Sequence, residues 1–126
     1  MMKIHHLITA TAAALLLLAT APAQANQAKF NKIERELKQC LKDVRGSYGA
    51  GSCAIGAVDD YRKLMNASKR SKLKQAERAC AIKVAREESR FDYDYDNDGL
   101  EGFSNAGRGN AADCQLKAAR RIAKQR

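Results

Sequence analysis

The sequence predicts an all-α fold, a small disulfide-stapled bundle of about four helices with a long acidic, glycine-rich loop before the last helix. Three observations predict it. Beyond residue 25 there is no proline, no tryptophan and no run of alternating β-branched residues. Apolar positions recur at intervals of three and four, the period of a helix that buries one face. Four cysteines, Cys40, Cys53, Cys80 and Cys114, form an even set suited to cross-linking a small domain.

The chain opens with a segment of a different character. Lys3 and two histidines precede an apolar run from Leu7 to Ala19, and Ala23-Gln24-Ala25 has the small-x-small form of a cleavage site. Residues 1–25 are therefore read as a secretory signal peptide and residues 26–126 as a single helical domain in the periplasm or outside the cell. The apolar run is shorter than the roughly 20 residues a spanning helix needs, is interrupted by threonines and is closed by Pro22, so no stable membrane insertion is expected. Removing 25 of the 126 residues leaves 101, a length that supports one modest core.

The first helix is expected over Asn26 to Arg45, with Phe30, Ile33, Leu37, Cys40, Leu41 and Val44 on one stripe. The stretch Gly46-Ser47-Tyr48-Gly49-Ala50-Gly51-Ser52 reads as a loop, because its three glycines are poor helix formers. Ser52 is then the N-cap of a second helix, Cys53 to Asn66, with Cys53, Ala57, Tyr61 and Leu64 inward. A third helix over Ser68 to Arg90 directs Leu73, Ala76, Cys80 and Val84 to the core. Phe91 to Asn110, with Gly99, Gly102, Gly107 and Gly109, reads as irregular and long enough to carry function. The last helix, Ala111 to Lys124, buries Ala112, Leu116, Ala119 and Ala123. Small residues dominate these stripes, so a thin core is expected.

Composition excludes several chemistries. The only two histidines lie within residues 1–25, so the remainder has no His-dependent triad, general base or metal ligand. No two cysteines have the close spacing of a zinc site, and two disulfides are expected. Three pairings are open; the local pairs Cys40–Cys53 and Cys80–Cys114 are favoured, with Cys53–Cys80 as the rival across a helical hairpin. Clustered loop carboxylates without a pocket or a partner base do not read as an active site, and the chain is not expected to be an enzyme.

Charge is unevenly distributed. Of 23 Lys and Arg only Lys3 lies in residues 1–25, so 22 face 14 Asp and Glu, a net charge of +8. Seven of those acids, Glu87, Glu88, Asp92, Asp94, Asp96, Asp98 and Glu101, fall within fifteen residues, leaving a basic body. A basic body attracts anionic polymers of the envelope, whereas no aromatic-interleaved basic motif points to nucleic acid, and none is expected as a partner.

The acidic stretch holds the most specific local pattern. Asp94-Tyr95-Asp96-Asn97-Asp98-Gly99 matches the start of an EF-hand loop, in which carboxylates at positions 1, 3 and 5 converge on a hard cation and glycine at 6 allows the turn. Asp94, Asp96, Asp98 and the backbone carbonyl of Leu100 are the candidate calcium ligands. Asn105 stands where the bidentate glutamate belongs, so any site is weak, in the range of roughly 10⁻⁴ to 10⁻³ M, and no cofactor is required. Acids and aromatics coincide there, which makes Phe91, Tyr93, Tyr95, Glu101 and Phe103 the candidate partner-binding residues.

Leu73-Lys74-Gln75-Ala76-Glu77-Arg78-Ala79, followed by Cys114-Gln115-Leu116-Lys117-Ala118-Ala119-Arg120-Arg121, resembles segments of the lysozyme-inhibitor LprI-like family. Cys40 and Cys53 match its early cysteines, Asp59 or Asp60 with Tyr61 its acid and tyrosine, and Glu77-Arg78 its Gln-Arg step, while Cys80 stands where the family has tryptophan. The resemblance implies a secreted four-cysteine helical protein whose partner is a lysozyme or another wall-lytic enzyme. Animal lysozymes are commonly basic, so a +8 protein meets them productively only through its acidic segment, 87–101.

Overall fold

The computed structural model describes residues 26–126, and the signal-peptide reading falls on residues outside that range. Among the described residues the protein is all-helical: α1 (26–43), α2 (Gly46–Lys63), α3 (Ala67–Glu87), the single turn α4 (Tyr95–Asp98) and α5 (Asn105–Ala123). Ile33–Arg126 forms one compact unit, and residues 26–32 belong to a separate one, in which the Gln27 side chain donates to that of Asn31 at 3.0 Å. None of the described helices is long and apolar enough to cross a membrane.

The last helix is the centre of the bundle. Ten of its nineteen residues are buried, because α2 packs on one side of it and α3 on the other. Gly51 of α2 lies against Gly109 near the start of α5, and Tyr61 further along α2 reaches the neighbourhood of Arg120, so these two helices run parallel. Lys69 of α3 donates to the carbonyl of Ala123, and Gln115 donates to the carbonyl of Glu77, so α3 runs antiparallel to α5. Nine of the twenty-one buried hydrophobic residues are alanines. Alanine removes little apolar area from water but lets helix axes approach closely, so the core is thin and tightly spaced.

Disulfides hold both flanks. Cys40–Cys53 joins α1 to α2 and Cys80–Cys114 joins α3 to α5, with Cα separations of 5.8 and 5.7 Å. No cysteine among the described residues is free. Both bonds belong to an oxidising environment, extracellular or periplasmic.

Two stretches read as irregular are helical. α2 begins at Gly46, not Cys53, and Ser52 lies inside it, donating its hydroxyl to the carbonyl of Tyr48 four residues back instead of capping. The glycines are there for proximity. A Cβ at Gly49 would stand 2.8 Å from the Cβ of Val44, and one at Gly51 would stand 3.0 Å from a guanidinium nitrogen of Arg108. Gly46, with φ +77°, turns the chain out of α1. Likewise α5 starts at Asn105, six residues before Ala111. Its cap is Ser104, whose hydroxyl accepts from the N–H of Gly107 at 3.0 Å and donates to Glu88 at 2.5 Å. α3 ends at Glu87 rather than Arg90, because Ser89 adopts φ 57° and reverses the chain. Two residues assigned to inward stripes, Leu41 and Leu64, are exposed.

Glycine substitutions in α2 should therefore split by sign. Gly56 is exposed with open space around it, so Gly56→Ala should stabilise by roughly 0.5–1 kcal/mol. Gly49→Ala meets the branched Cβ of Val44, and overpacking should outweigh the propensity gain, a net loss of roughly 1 kcal/mol. Urea unfolding of the two variants measures both signs. In the same assay, replacing Cys80 and Cys114 by alanine should remove about 4 kcal/mol, against about 3 for the Cys40–Cys53 pair, whose loop is shorter (13 residues of separation against 34).

Candidate docking surface

The acidic segment between α3 and α5 is built around one arginine. Arg90 donates to the carbonyl of Gly102 and lies over two rings, 5.4 Å from the centroid of Tyr93 and 5.6 Å from that of Phe103. The rings stack on each other at 4.8 Å. Phe103 is buried among Ala81, Val84, Ala85 and Ala111, and Tyr93, Tyr95 and Leu100 pack partly buried against the same cluster. The hydroxyl of Tyr93 donates to the carbonyl of Gly99. Burial pushes the phenols of Tyr93 and Tyr95 up, and nearby acidic and phenolic groups, Tyr95 and Asp98 for Tyr93 and Glu77 for Tyr95, push the same way. Three of the five candidate partner-binding residues, Tyr93, Tyr95 and Phe103, thus anchor the segment to the bundle.

The aspartates have partners within the protein. Asp94 caps α4, accepting from the N–H of Asp96 at 3.1 Å and from the side chain of Asn97 at 2.7 Å. Asp98 accepts from the N–H of Asp94 at 3.1 Å. Asp96 accepts two bonds, 2.7 and 2.9 Å, from one nitrogen of Arg78, which raises the guanidinium pKa. The Leu100 carbonyl accepts from the N–H of Phe103 at 3.3 Å. Among the described residues no three His, Cys, Asp or Glu side chains gather as a metal cluster. A cation bound by Asp94, Asp96 and Asp98 together would have to draw Asp96 away from Arg78.

What the segment offers outward is narrower than its composition. Phe91 is 85% exposed, and Asp92 and Asp94 further along the same stretch are exposed as well. Glu101, with 73% of its side chain exposed, stands 3.6 Å from Nε of Arg108. Arg108 is 6% exposed, although in the sequence it reads as one more surface cation between Gly107 and Gly109. Its guanidinium donates to the carbonyl of Tyr48 at 2.9 Å and to the hydroxyl of Ser52 at 3.2 Å, and it lies 4.0 Å from the ring centroid of Tyr48. Nε has no hydrogen-bond partner. Arg108 therefore ties the acidic segment, through Glu101, to the first turns of α2.

A second polar pin crosses three helices at the other end. Tyr61 is fully buried and donates its hydroxyl to Glu34 of α1 at 2.7 Å, while Arg120 of α5 donates to both oxygens of the same carboxylate at 2.6 and 3.2 Å. Burial and the neighbouring carboxylate push the Tyr61 phenol up to about 12. Burial raises the Glu34 carboxyl, but hydrogen bonds from Arg120 and Tyr61 outweigh it and hold the group below its ordinary 4.5.

Comparison with known proteins finds no matching family model, no similar curated protein and no similar solved structure. The surface has to be interpreted from its own chemistry.

The pin makes stability depend on pH at both extremes. Tyr61 has a raised folded pKa, so its contribution is complete below pH 10 and disappears as pH rises through about 12. Glu34 has a lowered folded pKa, so its contribution is present above pH 4.5 and disappears as pH falls through the folded value. Ultraviolet titration should show one tyrosine ionising near 12. In Glu34→Gln that tyrosine should ionise at lower pH, with burial still holding it above the ordinary phenol value, and urea unfolding should show a loss of roughly 1–3 kcal/mol.

Proposed function

We propose that this chain is a periplasmic or secreted binding protein that docks its acidic segment, with Phe91 leading, on a basic cell-wall-lytic enzyme of the lysozyme type, and that residues 1–25 are removed as a signal peptide. The observation that carries the reading is the exposure of Phe91 on a segment whose other aromatic residues are anchored. A side chain held ready on a fixed support loses little entropy on binding, and aromatic anchors surrounded by polar groups are the usual centres of protein interfaces. Asp92 follows Phe91 in the chain, and Asp94 and Glu101 are exposed on the same segment, whose net charge is opposite in sign to that of the rest of the molecule.

Charge selects the orientation. A basic enzyme is repelled by a +8 body at long range, so approach by the acidic segment is the electrostatically favoured encounter. The two disulfides suit an oxidising compartment, and the resemblance to lysozyme inhibitors in the Leu73–Ala79 and Cys114–Arg121 segments supports the same class of partner.

Calorimetric titration of the oxidised protein with a basic animal lysozyme, alongside an assay of cell-wall lysis, tests the reading. Saturable binding and slowed lysis are expected, and Phe91→Ala combined with Asp92→Lys should weaken both by roughly tenfold or more. Asp96 is unsuitable for this purpose, because its reversal would also break the bond to Arg78 that shapes the segment. Absence of binding to lysozymes and wall amidases alike, or full inhibition by the double variant, would overturn the proposal.

A further inference from the structure

A groove of about 640 Å³ runs between α3 and α5 above the Cys80–Cys114 bond. Its floor is made of small side chains, Ala76, Ala79 and Ala118 among them, so a bulky apolar group can approach the helices closely. Its walls are cationic: Lys83 projects from α3, and Lys117 and Arg121 from α5. Lys117 is paired with Asp113 at 3.0 Å, whereas Lys83 and Arg121 form no ion pair among the described residues. Glu87 lines the groove as well and, like Lys83 and Arg121, forms no ion pair among the described residues, so three cations stand against two acids, a net charge of +1.

The complement of this groove is present in the same chain. Phe91 is an apolar group without a seat, 85% exposed, followed in the chain by the exposed acids Asp92 and Asp94. It does not fill the groove of its own molecule. We infer that the groove receives the acidic segment of a second copy, with Phe91 on the alanine floor and Asp92 and Asp94 facing Lys83 and Arg121. Such a contact joins two different patches, so it is heterologous and leaves a free segment at one end and a free groove at the other. It is small, hence weak and favoured by high protein concentration, and it needs enough salt to screen the long-range repulsion between two +8 bodies while leaving the short-range attraction of segment for groove. The inference shares its segment with the docking proposal and gives that segment a second role: association hides Phe91, so an enzyme and a second copy compete for it.

Sedimentation equilibrium of the oxidised protein tests it. At about 0.15 M salt, where the screening length is roughly 8 Å, the average mass should rise with concentration beyond that of a dimer, and at about 1 M salt, where it is roughly 3 Å, the protein should be monomeric. Phe91→Ala removes the ligand, and Lys83→Glu with Arg121→Glu removes the receptor. Each variant alone, checked for native helicity by circular dichroism, should stay monomeric, while their mixture should form one-to-one dimers and nothing larger, because the receptor variant still offers Phe91 and the ligand variant still offers its groove. A monomer at all concentrations in about 0.15 M salt would overturn the inference, as would association that survives in either variant or a mixture that fails to pair. The receptor variant also separates this idea from the docking proposal: its acidic segment is intact, so it should bind lysozyme whatever the centrifuge shows.

Discussion

Everything in the compact unit is arranged around a helix that is buried on two sides. α5 can lie between α2 and α3 only if its contact residues are small, and Ala111, Ala112, Ala118 and Ala119 satisfy that on its own surface as Ala54, Ala57, Ala81 and Ala85 do on its neighbours. The consequence is energetic. Each alanine contributes far less burial than a leucine, so close packing is achieved at the expense of hydrophobic driving force. The structure compensates with devices that do not depend on apolar area. Two disulfides restrict the unfolded chain, and polar pins at Glu34–Tyr61–Arg120 and at Arg108 join helices that share few large side chains.

The same constraint shapes the exposed acidic segment. With α3 and α5 fixed to each other by Cys80–Cys114, the connection between them is closed at both ends. Its interior is then ordered by local means: Arg90 over the stacked Tyr93 and Phe103 rings, Asp94 capping a single helical turn, and Arg78 holding Asp96. Order of this kind turns a run of like charges, which by composition alone favours disorder, into a surface of fixed shape. Repulsion among Asp94, Asp96 and Asp98 is reduced because each of the three accepts hydrogen bonds, from backbone N–H groups, an asparagine amide or a guanidinium.

Much of the fold was legible where burial follows a period. Leu73, Cys80 and Val84 on α3 and Ala112, Leu116, Ala119 and Ala123 on α5 recur at helical spacing and are buried. The local cysteine pairs follow from helices whose order places Cys40 near Cys53 and Cys80 near Cys114. The errors fall where a residue's role is set by a distant part of the chain. Gly49 and Gly51 carry the local signature of a loop, but their neighbours are Val44 and the side chain of Arg108, and a glycine in a helix is read correctly only once that neighbour is known. Gly107 belongs to the same class, since a Cβ there would collide with Glu88. In the acidic segment the sequence located the charge but could not tell which aromatic residues anchor and which are exposed, because that division depends on the cluster around Ala81 and Ala111. Arg108 gave no periodic signal, as arginine is ordinarily read as exposed.

Arg108 is buried at a physical cost. A cation in the opening turns of α5 lies on the unfavourable side of the helix dipole, and burying it adds a desolvation cost. Neither cost is removed by the one nearby carboxylate, since Glu101 is exposed and 3.6 Å away. What balances the charge is distributed: the carbonyl of Tyr48, the hydroxyl of Ser52 and the face of the Tyr48 ring. All three belong to the stretch 46–52, so that stretch must be helical and close to α5 for the cation to be tolerated. Gly51 and Gly109 permit that closeness. The glycines that disguise the first turns of α2 as a loop are therefore the residues that let an arginine connect those turns to the acidic segment. Nε makes no hydrogen bond, and its link to the charged surface is the 3.6 Å ion pair with Glu101.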